Sequence, residues 1–521
     1  MPLHGQHLIA GRPTAAAASS FHGINAANQA VLDPGFSEAT SSEIDAAVQA
    51  AFSAFAEFRP STGEQRAALL EAIATEIEAL GDELLQRAHA ETGLPLARLT
   101  GERARTCAQL RLFAGVVREG SWVDARIDPA LPERKPLPRP DVRRLLQPIG
   151  VVAVFGASNF PLAFSVAGGD TASALATGNA VVVKGHPAHP GTSEMVATAI
   201  ARAVSTTGAP AGIFSLLHGR QPATSLELVR HPRLAAVGFT GSHTAGRALM
   251  DVAAARPHPI PVFAEMSSLN PVVLLPQALR ERTTPLAQGL TGSFTLGVGQ
   301  FCTKPGLVFG LASAEWEKFA REVATAASAV PAGVMLHAGI SRAFQASLDG
   351  LKDVEWLTRG PASIARVTAA QFRQRPELAR ECFGPFTLLI TVERREELLE
   401  TLQGIDGQLT ACVHGTASDL AEAAPLLAVL ADRAGRVLIN GWPTGVEVCP
   451  AMNHGGPYPS CSDVRFTSVG TAALQRFVRP LCYQDFPAHL LPPALHDENP
   501  LGLLRLVDGR PTREPLAPTA R

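Results

Sequence analysis

The sequence predicts an α/β protein built on a doubly wound parallel sheet, followed by a second α/β unit. Short apolar runs alternate with helical stretches from Val151 onwards, and a second alternating series starts near Val272. A chain of 521 residues is too long for one ordinary core, so two or three cooperating domains are expected. Hydrophobic residues make up 46% of the chain and charged residues 18%, as in compact globular proteins.

The N-terminal part, from residue 41 to about residue 120, is predicted to be helical. Ser41 and Ser42, followed by Glu43, supply a start signal for the first helix. A second helix is expected near residues 63–80. The apolar residues of both recur at helical spacing, which is typical of side chains packed in a core.

Two proline-rich segments interrupt the regular pattern. Residues 129–148 cannot form a helix, because prolines recur through them, so they form either a linker or an extended arm at the edge of a sheet. The tail after Leu481 is also proline-rich, and we expect it to wrap the surface of the molecule or of a partner subunit.

The middle of the chain alternates strand and helix. Strands are predicted at residues 151–155, 180–183, 214–217 and 235–239, and helices extend to about 177, from 192 to 206, around 226 and after 242. The second series has a strand near 272, a helix at 314–330, a strand at 386–392, a helix near 396 and a strand at 436–440. Continuous apolar strands indicate parallel sheets covered on both faces, whose ligands bind at the carboxyl ends of the strands.

Composition excludes several classes of partner. The formal net charge of −2 shows no bias towards nucleic acid or an acidic membrane surface, so a small-molecule substrate is expected. No apolar run reaches the length of about 18 residues that indicates a membrane span, and the first residues are not signal-like, so the expected location is the cytoplasm. The seven cysteines are scattered without a CxxC pair, and zinc-ligand spacings are absent. Reduced thiols and no metal are therefore expected.

A glycine-rich turn follows the strand that ends at Phe239. It contains Gly241 and Ser242 at the predicted start of a helix, where free N–H groups favour an anion such as a phosphate. Such a turn can also be simple helix capping. The turn therefore indicates a phosphate site only if other motifs of a nucleotide-binding protein are also present.

The segment around Cys302 is a candidate nucleophile loop. A lone cysteine is usually a small buried apolar residue, but flanking glycines and Lys304 indicate a loop with an accessible thiol. Glu265 closes an apolar strand and is either a solvated strand end or a carboxylate beside a dry cleft. A thiol nucleophile, and a thioester awaiting water, both need such a base.

Three further turns lie on the ligand edge of the predicted sheets. Asn159 follows the first strand, where its amide forms a local hydrogen bond or donates to a developing oxyanion. Lys184, His186 and Pro187 follow the second strand, and Glu381 with Phe383 precedes a tight turn. Each of these turns is a weak signal when taken alone.

Taken in their order along the chain, the segments with Asn159, Lys184, Gly241, Glu265, Cys302 and Glu381 resemble the motifs of the aldehyde dehydrogenase superfamily, and the resemblance extends from about residue 41 to residue 470. The resemblance implies a cofactor-binding domain (residues 1–126 and 147–264) and a catalytic domain (265–468). It also implies an oligomerisation arm and tail (127–146 and 469–521) in a homodimer or homotetramer. Cys302 would attack the aldehyde, the Asn159 side chain and the Cys302 N–H would hold the oxyanion, and Glu265 would activate water.

The resemblance also implies a nicotinamide site. Glu381 would bind the nicotinamide ribose beside Phe383, Gly241 and Ser242 after Phe239 would meet the pyrophosphate, and Lys184 would bind the adenosine ribose.

Two departures from the family pattern stand out. Pro187 replaces the acid usual in NAD-preferring members, so a 2′-phosphate next to His186 is not repelled and can pair with Lys184 and Arg220. NADP is therefore the expected cofactor, with NAD possible. Ser267 and Ser268 stand where the family commonly has glycines, and their side chains are expected to limit how closely the backbone can approach the nicotinamide.

Within the superfamily, segments around residues 165–172, 184–192 and 479–486 are similar to the branch of 2,5-dioxopentanoate (α-ketoglutaric semialdehyde) dehydrogenases and their NADP-dependent fatty aldehyde relatives. The implied product is 2-oxoglutarate, and a medium- or long-chain aliphatic aldehyde is the alternative substrate. A dianionic product needs a cation near the cleft, for which Arg465 is a candidate.

Two other classes of protein are alternatives to an aldehyde dehydrogenase. A thiol hydrolase would need a histidine base, and the sequence around the motifs suggests none. A catalytically silent structural protein would not be expected to retain Cys302, Glu265, Asn159 and Lys184 together.

Overall fold

The computed structural model describes residues 2–14 and 19–516. Residues 1, 15–18 and 517–521, which belong to the predicted cofactor-binding domain and tail, lie outside the described residues. The strands are β1 (Leu8–Ile9), β2 (Arg12–Pro13), β3 (Ser20–Ile24), β4 (Val31–Ser37), β5 (Arg126–Asp128), β6 (Val142–Pro148), β7 (Val151–Phe155), β8 (Ala180–Lys184), β9 (Phe214–Leu217), β10 (Leu234–Thr240), β11 (Val262–Glu265), β12 (Val272–Leu274), β13 (Leu307–Leu311), β14 (Glu355–Thr358), β15 (Ser363–Thr368), β16 (Phe386–Val392), β17 (Gln408–His414), β18 (Ala434–Ile439), β19 (Val478–Gln484), β20 (Arg505–Val507) and β21 (Arg510–Thr512).

The α-helices follow the same chain order. They are α1 (Ser41–Phe58), α2 (Gly63–Ala79), α3 (Gly81–Thr92), α4 (Leu96–Glu119), α5 (Gly169–Ala176), α6 (Pro190–Thr207), α7 (Pro222–Arg230), α8 (His243–Ala254), α9 (Pro276–Thr295), α10 (Ala314–Ser328), α11 (Ala338–Gly350), α12 (Ala369–Gln374), α13 (Arg395–Gln403), α14 (Ala417–Ala421) and α15 (Ala424–Arg433). Within the described residues, the search for a helix of transmembrane length and apolarity finds none.

The first sheet confirms the doubly wound prediction. Its strand order is β11-β10-β7-β8-β9-β1-β2, in which β7 to β11 pair in parallel and β1 pairs antiparallel with β9. All residues of β7, β8 and β9 are buried, because helices cover both faces of the sheet. The predicted strands fall within two residues of the observed ones.

Helix α1 begins as predicted, but its cap is one residue earlier than the two serines suggested. The Thr40 side chain accepts a hydrogen bond from the Glu43 N–H, and the Glu43 carboxylate accepts one from the Thr40 N–H. Ser41 and Ser42 are already inside the helix, whereas a capping residue must keep extended backbone angles, as Thr40 does.

The second sheet has the order β14-β15-β16-β13-β12-β17-β18 and is parallel except for β14. It confirms the second α/β series, with β16 at the predicted residues and β18 starting two residues before its predicted start. Apolar residues of its strands pack on both faces against the helices around it.

The proline-rich arm and the tail form a third sheet, of order β19-β6-β5-β20-β21. Residues 142–148 are therefore a strand, and this strand lies between β5 and β19 instead of at a sheet edge. The prolines lie before residue 142 and at the last residue of β6, Pro148, so residues 142–147 keep N–H groups that can donate on both sides. The tail after Leu481 packs on the arm through β19, β20 and β21.

The carboxyl ends of the first sheet bring the sequence motifs together. Phe155 is in register with Lys184, and Thr240 with Glu265, so four strands end at one edge. The chain beyond β11 is tied to the second unit, because Glu265 forms a β-bridge with Cys461 and the Met266 N–H donates to the Ser460 carbonyl.

Candidate active site

A cavity of about 410 Å³ lies at this edge of the first sheet. Most of the residues selected from the sequence line it, from both α/β units: Asn159, His186, Phe239, Gly241, Ser242, Glu265, Cys302, Glu381 and Phe383. The cavity also has a wall that the sequence reasoning missed, formed by α11 with Ile340, Phe344 and Ser347. No motif marked this wall, because its residues are ordinary for an amphipathic helix.

A second cavity, of about 420 Å³, adjoins the first and shares His186 and His337 with it. Pro187 and Arg220 line it, as does Arg342 of α11. Lys184 is buried at the end of β8, and burial lowers its pKa to about 8 against an opposing effect of the Glu38 carboxylate.

The loop that carries Cys302 is held by glycine geometry. Gly297, Val298 and Gly299 all have positive φ angles, in the left-handed region that glycine tolerates best. A Cβ atom on Gly299 would lie 2.3 Å from the Gly384 carbonyl oxygen, so the loop contacts the turn after Glu381 backbone to backbone.

Lys304 fastens the same two segments. Its buried ammonium donates to the carbonyls of Cys382 (3.0 Å) and Phe386 (2.8 Å). Lys304 is thus a structural residue of the nucleophile loop, and it positions Cys302 relative to the Glu381 turn.

The thiol of Cys302 faces an imidazole and a carboxylate. His454 Nε2 lies 3.4 Å from Cys302 Sγ and 2.9 Å from Glu265 Oε1, and the Ser468 hydroxyl donates to the other Glu265 oxygen. Burial and the charge of Glu265 raise the pKa of Cys302 well above its usual value. Burial opposes ionisation of Glu265, but His454 and Ser468 outweigh it and lower the pKa of this carboxyl.

The expectation that no histidine accompanies the thiol is therefore wrong. His454 lies far along the chain, in the segment after β18. Its backbone N–H donates a hydrogen bond to Thr467 Oγ1 (2.7 Å), which holds this segment in place. Only tertiary folding brings it to Cys302. Its one sequence signal is the Asn453-His454-Gly455-Gly456 stretch, a polar and glycine-rich turn.

Asn159 sits beside the nucleophile loop, as the oxyanion prediction requires. Its side-chain amide donates to the Gln300 carbonyl (3.0 Å), and its own carbonyl accepts from Arg98 (2.6 Å). The amide has a second N–H available.

The Glu381 turn lies across the cavity from the glycine-rich turn. Burial raises the pKa of Glu381 to about 7, partly offset by a hydrogen bond from Ser267. Ser267 also accepts from the His243 N–H at the start of α8 (3.3 Å), whereas Ser268 is buried and donates to Asn270 and Gln408. The serines thus connect the two units.

Arg465 is not part of this site. Its side chain is 74% exposed and pairs with Asp463 at 2.5 Å. A neighbouring acid in its own loop satisfies the guanidinium, so the proposed carboxylate contact of Arg465 is not supported.

Comparison with known proteins identifies the family of this chain. The sequence profile described as "Aldehyde dehydrogenase family" matches residues 14–344. An α-ketoglutaric semialdehyde dehydrogenase 2 of Azospirillum brasilense is 50% identical over 98% of this chain and 100% of its own length. The chain belongs to the aldehyde dehydrogenase family. A second relative, the α-ketoglutaric semialdehyde dehydrogenase of Acinetobacter baylyi, is 47% identical over 97% of this dehydrogenase and 98% of its own length.

Solved structures share the fold of this aldehyde dehydrogenase. A 3,6-anhydro-L-galactose dehydrogenase in complex with NADP superimposes with a TM-score of 0.78 at 20% identity, over 92% of this chain and 99% of that one. An aldehyde dehydrogenase of Pseudomonas syringae in complex with NAD⁺ and octanal gives 0.77 at 21% identity, over 93% and 97%.

This aldehyde dehydrogenase is an NAD(P)-dependent oxidoreductase acting on aldehydes. Neither a thiol hydrolase nor a silent structural protein is needed to explain the site. Glu265, Cys302 and His454 have donor atoms within 4.8 Å of one another, and residues of these types can also hold a metal ion such as zinc.

Proposed function

We propose that this enzyme oxidises 2,5-dioxopentanoate to 2-oxoglutarate, with NADP preferred and NAD also accepted. The substrate proposal rests on the two relatives of that name, which match nearly the whole chain at 50% and 47% identity. The chemistry rests on one observation, the contact of Cys302 with His454 and Glu265 beside the first cavity.

In the first step, His454 accepts the proton of Cys302 and the thiolate attacks the aldehyde carbon. A base is needed because burial raises the pKa of this thiol. Glu265, 2.9 Å from the same nitrogen, stabilises the imidazolium that forms. The Asn159 side chain and the Cys302 N–H donate to the oxyanion of the thiohemiacetal.

The two cavities fit a nicotinamide dinucleotide. Gly241 and Ser242 present the exposed N-terminal turn of α8, an arrangement that favours a pyrophosphate, and Glu381 can accept from ribose hydroxyls beside Phe383. The chemistry that bound NAD(P)⁺ supplies here is acceptance of a hydride. Cys302 holds the aldehyde carbon next to that part of the cavity.

In the second step, the acyl group leaves Cys302 as a carboxylic acid. Glu265 takes a proton from water, which attacks the thioester, and the thiol leaves as its proton is restored through His454. Ser468 keeps the Glu265 carboxylate oriented by its hydrogen bond. Both steps therefore use one carboxylate and imidazole pair.

Preference for NADP follows from the charges around the second cavity. Its described lining contains Arg220, Arg342 and His186 but no carboxylate, and the Arg220 guanidinium makes no hydrogen bond or ion pair with the described residues. Glu38 accepts from the Arg220 backbone N–H, so its charge also acts nearby. Two arginines and Lys184 outweigh one acid, which favours a 2′-phosphate.

A kinetic comparison tests these proposals. We expect kcat/KM for 2,5-dioxopentanoate to exceed that for hexanal and octanal, and kcat/KM for NADP to exceed that for NAD. A strong preference for the aliphatic aldehydes would reject the substrate proposal. An NADP over NAD ratio well below one would reject the cofactor proposal.

The remaining expectations from the sequence also stand as proposals. We propose the division into a cofactor-binding domain (residues 1–126 and 147–264), a catalytic domain (265–468) and an oligomerisation arm and tail (127–146 and 469–521). We further propose a homodimer or homotetramer and a cytoplasmic location.

A further inference from the structure

Aromatic rings cluster beside the loop that carries Cys302. Phe160 packs edge-on against both Phe164 and Phe301, with ring centroids 5.3 Å apart in each pair. The Phe164 ring lies 6.3 Å from the His454 ring, which contacts the thiol. None of these phenylalanines lines the first cavity, so the aromatic cluster lies outside the pocket proposed for the cofactor.

Arg105 of α4 extends over this aromatic cluster. Its guanidinium carbon lies 5.2 Å from the centroid of Phe164 and 5.6 Å from that of Phe160. Its charge acts on Glu102, Cys302, Glu265 and Glu447. The Arg105 cation thus lies over an aromatic cluster whose Phe164 ring neighbours the imidazole that contacts the thiol.

The guanidinium of Arg105 has unused donors. Nε and Nη2 are both buried and have no hydrogen-bond partner within the described part of the chain. An arginine offers five N–H donors, and leaving such groups buried and unpaired is costly. A ligand acceptor would satisfy them.

The other arginines near the thiol are committed to the protein backbone. Arg98 stacks on Phe160 and Phe301 and donates to the Asn159 carbonyl. Arg436, whose charge also acts on Cys302, donates to the carbonyls of Pro443 and Gly445. Arg98 Nη1 and Arg436 Nε are also buried without a partner, but Arg105 differs because its guanidinium donates to no backbone carbonyl in the described part of the chain.

Charge balance for Glu102 is the structural alternative. Glu102 is buried and accepts from the N–H groups of Leu162 and Ala163, while one of its oxygens is unpartnered. Arg98 and Arg105 both lie close enough for their charges to act on it. Neither forms a hydrogen bond or an ion pair with Glu102, so this role leaves the donors of Arg105 unused.

We propose that Arg105 binds the carboxylate at the far end of the substrate, above the Phe160 and Phe164 rings. This inference rests on the proposed function and replaces Arg465 as the carboxylate-binding residue. An arginine fork accepts both oxygens of a carboxylate, and apolar surroundings strengthen the pair. Arg105 is then the residue that selects an acidic short-chain aldehyde over an aliphatic one.

The test compares Arg105→Met and Arg105→Lys with the wild-type enzyme. We expect Arg105→Met to lower kcat/KM for 2,5-dioxopentanoate about 10- to 150-fold, mainly through KM, because a hydrogen-bonded charge pair is lost. Hexanal oxidation should change less than about threefold, because hexanal has no carboxylate to lose. Arg105→Lys should recover part of the lost kcat/KM, since lysine keeps the positive charge but cannot donate two parallel hydrogen bonds to one carboxylate.

Arg103→Met is the matched control. Arg103 lies on the same helix and donates to the Gly81 carbonyl (2.7 Å), so its loss should leave the ratio of the two substrates unchanged. An equal loss on both substrates in the Arg105 variants would support the Glu102 role and overturn the proposal.

Glutarate, which has no aldehyde group, separates this proposal from the proposed function. It should inhibit hexanal oxidation competitively in the wild-type enzyme and about 10- to 150-fold more weakly in Arg105→Met. Absent or equal inhibition would overturn the Arg105 subsite. If hexanal is the better substrate yet glutarate inhibition still requires Arg105, the substrate proposal fails and the subsite stands.

Discussion

At the scale of single residues, one imidazole nitrogen lies between the Cys302 thiol and the Glu265 carboxylate. His454 Nε2 contacts both Cys302 and Glu265, while its Nδ1 is buried without a partner in the described structure. The thiol is neutral in the resting enzyme because burial and the nearby carboxylate both oppose a second negative charge. Proton transfer through His454 is therefore expected to limit thiolate formation.

Replacing His454 by alanine tests this role. We expect kcat/KM to fall about 10²- to 10⁴-fold, the range of general acid–base catalysis, and alkylation of Cys302 by iodoacetamide to shift to higher pH. The exposed His258 gives a control, His258→Ala, that should leave both readouts unchanged. Unchanged alkylation in His454→Ala would contradict the proton transfer.

Glu265→Gln separates the two chemical steps. The amide cannot take a proton from water, so acylation should still release one equivalent of NADPH per site before turnover slows about 10²- to 10⁴-fold. Stopped-flow absorbance of NADPH measures this burst. Steady turnover at the wild-type rate with no burst would show that another group activates the water.

Lys184 gives a prediction about pH. A lysine is charged below its pKa, which burial lowers to about 8, so its attraction for a 2′-phosphate should weaken as pH rises above about 8. The ratio of kcat/KM for NADP to that for NAD should then fall with rising pH, up to about tenfold per unit. Titration of Cys302 cancels in this ratio. A flat ratio from pH 7 to 9.5 would contradict the contribution of Lys184.

At the scale of elements, the nucleophile loop and the Glu381 turn form one supported unit. Gly299 meets Gly384 backbone to backbone, and Lys304 bonds to carbonyls on both sides of that turn. The distance between the Cys302 thiol and the Glu381 segment, which we propose to bind the nicotinamide ribose, is thus set by main-chain packing and by the buried Lys304 side chain.

Gly299→Ala should disturb this unit. The added methyl would lie 2.3 Å from a carbonyl oxygen, and Gly299 has a φ of 65°, which alanine adopts at a cost of about 1 kcal/mol. We expect kcat/KM to fall about 10- to 100-fold, since small displacements of reacting groups are costly.

Gly292→Ala is the control for this prediction. Gly292 lies in α9 with open space around its Cα, so alanine should leave activity unchanged and raise stability by about 0.5–1 kcal/mol. Equal activity of both variants would show that the loop tolerates displacement.

At the scale of the whole molecule, two of the edge strands of the described sheets, β18 and β19, are the ones that we expect to take part in assembly. β18 ends the second sheet with Val437 and Ile439 exposed on one side, and β19 ends the third sheet. Exposed apolar residues on an edge strand are unusual in a protein that stays monomeric, because the unpaired N–H and C=O groups of such a strand can pair with another chain. They are the surfaces through which we expect the subunits to associate.

Ile439→Lys should weaken that association. Light scattering of the wild-type enzyme should give two or four times the chain mass of 54.7 kDa, and the variant should give half that value. Val464→Lys is the control, because Val464 is 65% exposed and lies outside the named strands. Identical masses for all three proteins would place the interface elsewhere.

Much of the fold was predictable because it is recorded locally in the chain. Apolar runs identified β7, β8, β9, β10 and β16 within two residues, since buried parallel strands need continuous apolar sequence. The Gly241, Cys302 and Glu381 segments were predictable as turns because glycines close to them in the sequence mark turns and loops. Errors arose where a nearby residue competed, as Thr40 did with Ser41 for the cap of α1.

The sequence by itself therefore determined the two α/β units, the family and the residues that follow strand ends, because these depend on short-range pattern and order. Only the tertiary structure decided which distant side chains complete the site. His454 reaches Cys302 from the segment after β18, and Arg105 reaches the same region from α4. Contacts of this kind have no local signature, since they arise when separate units pack on one another.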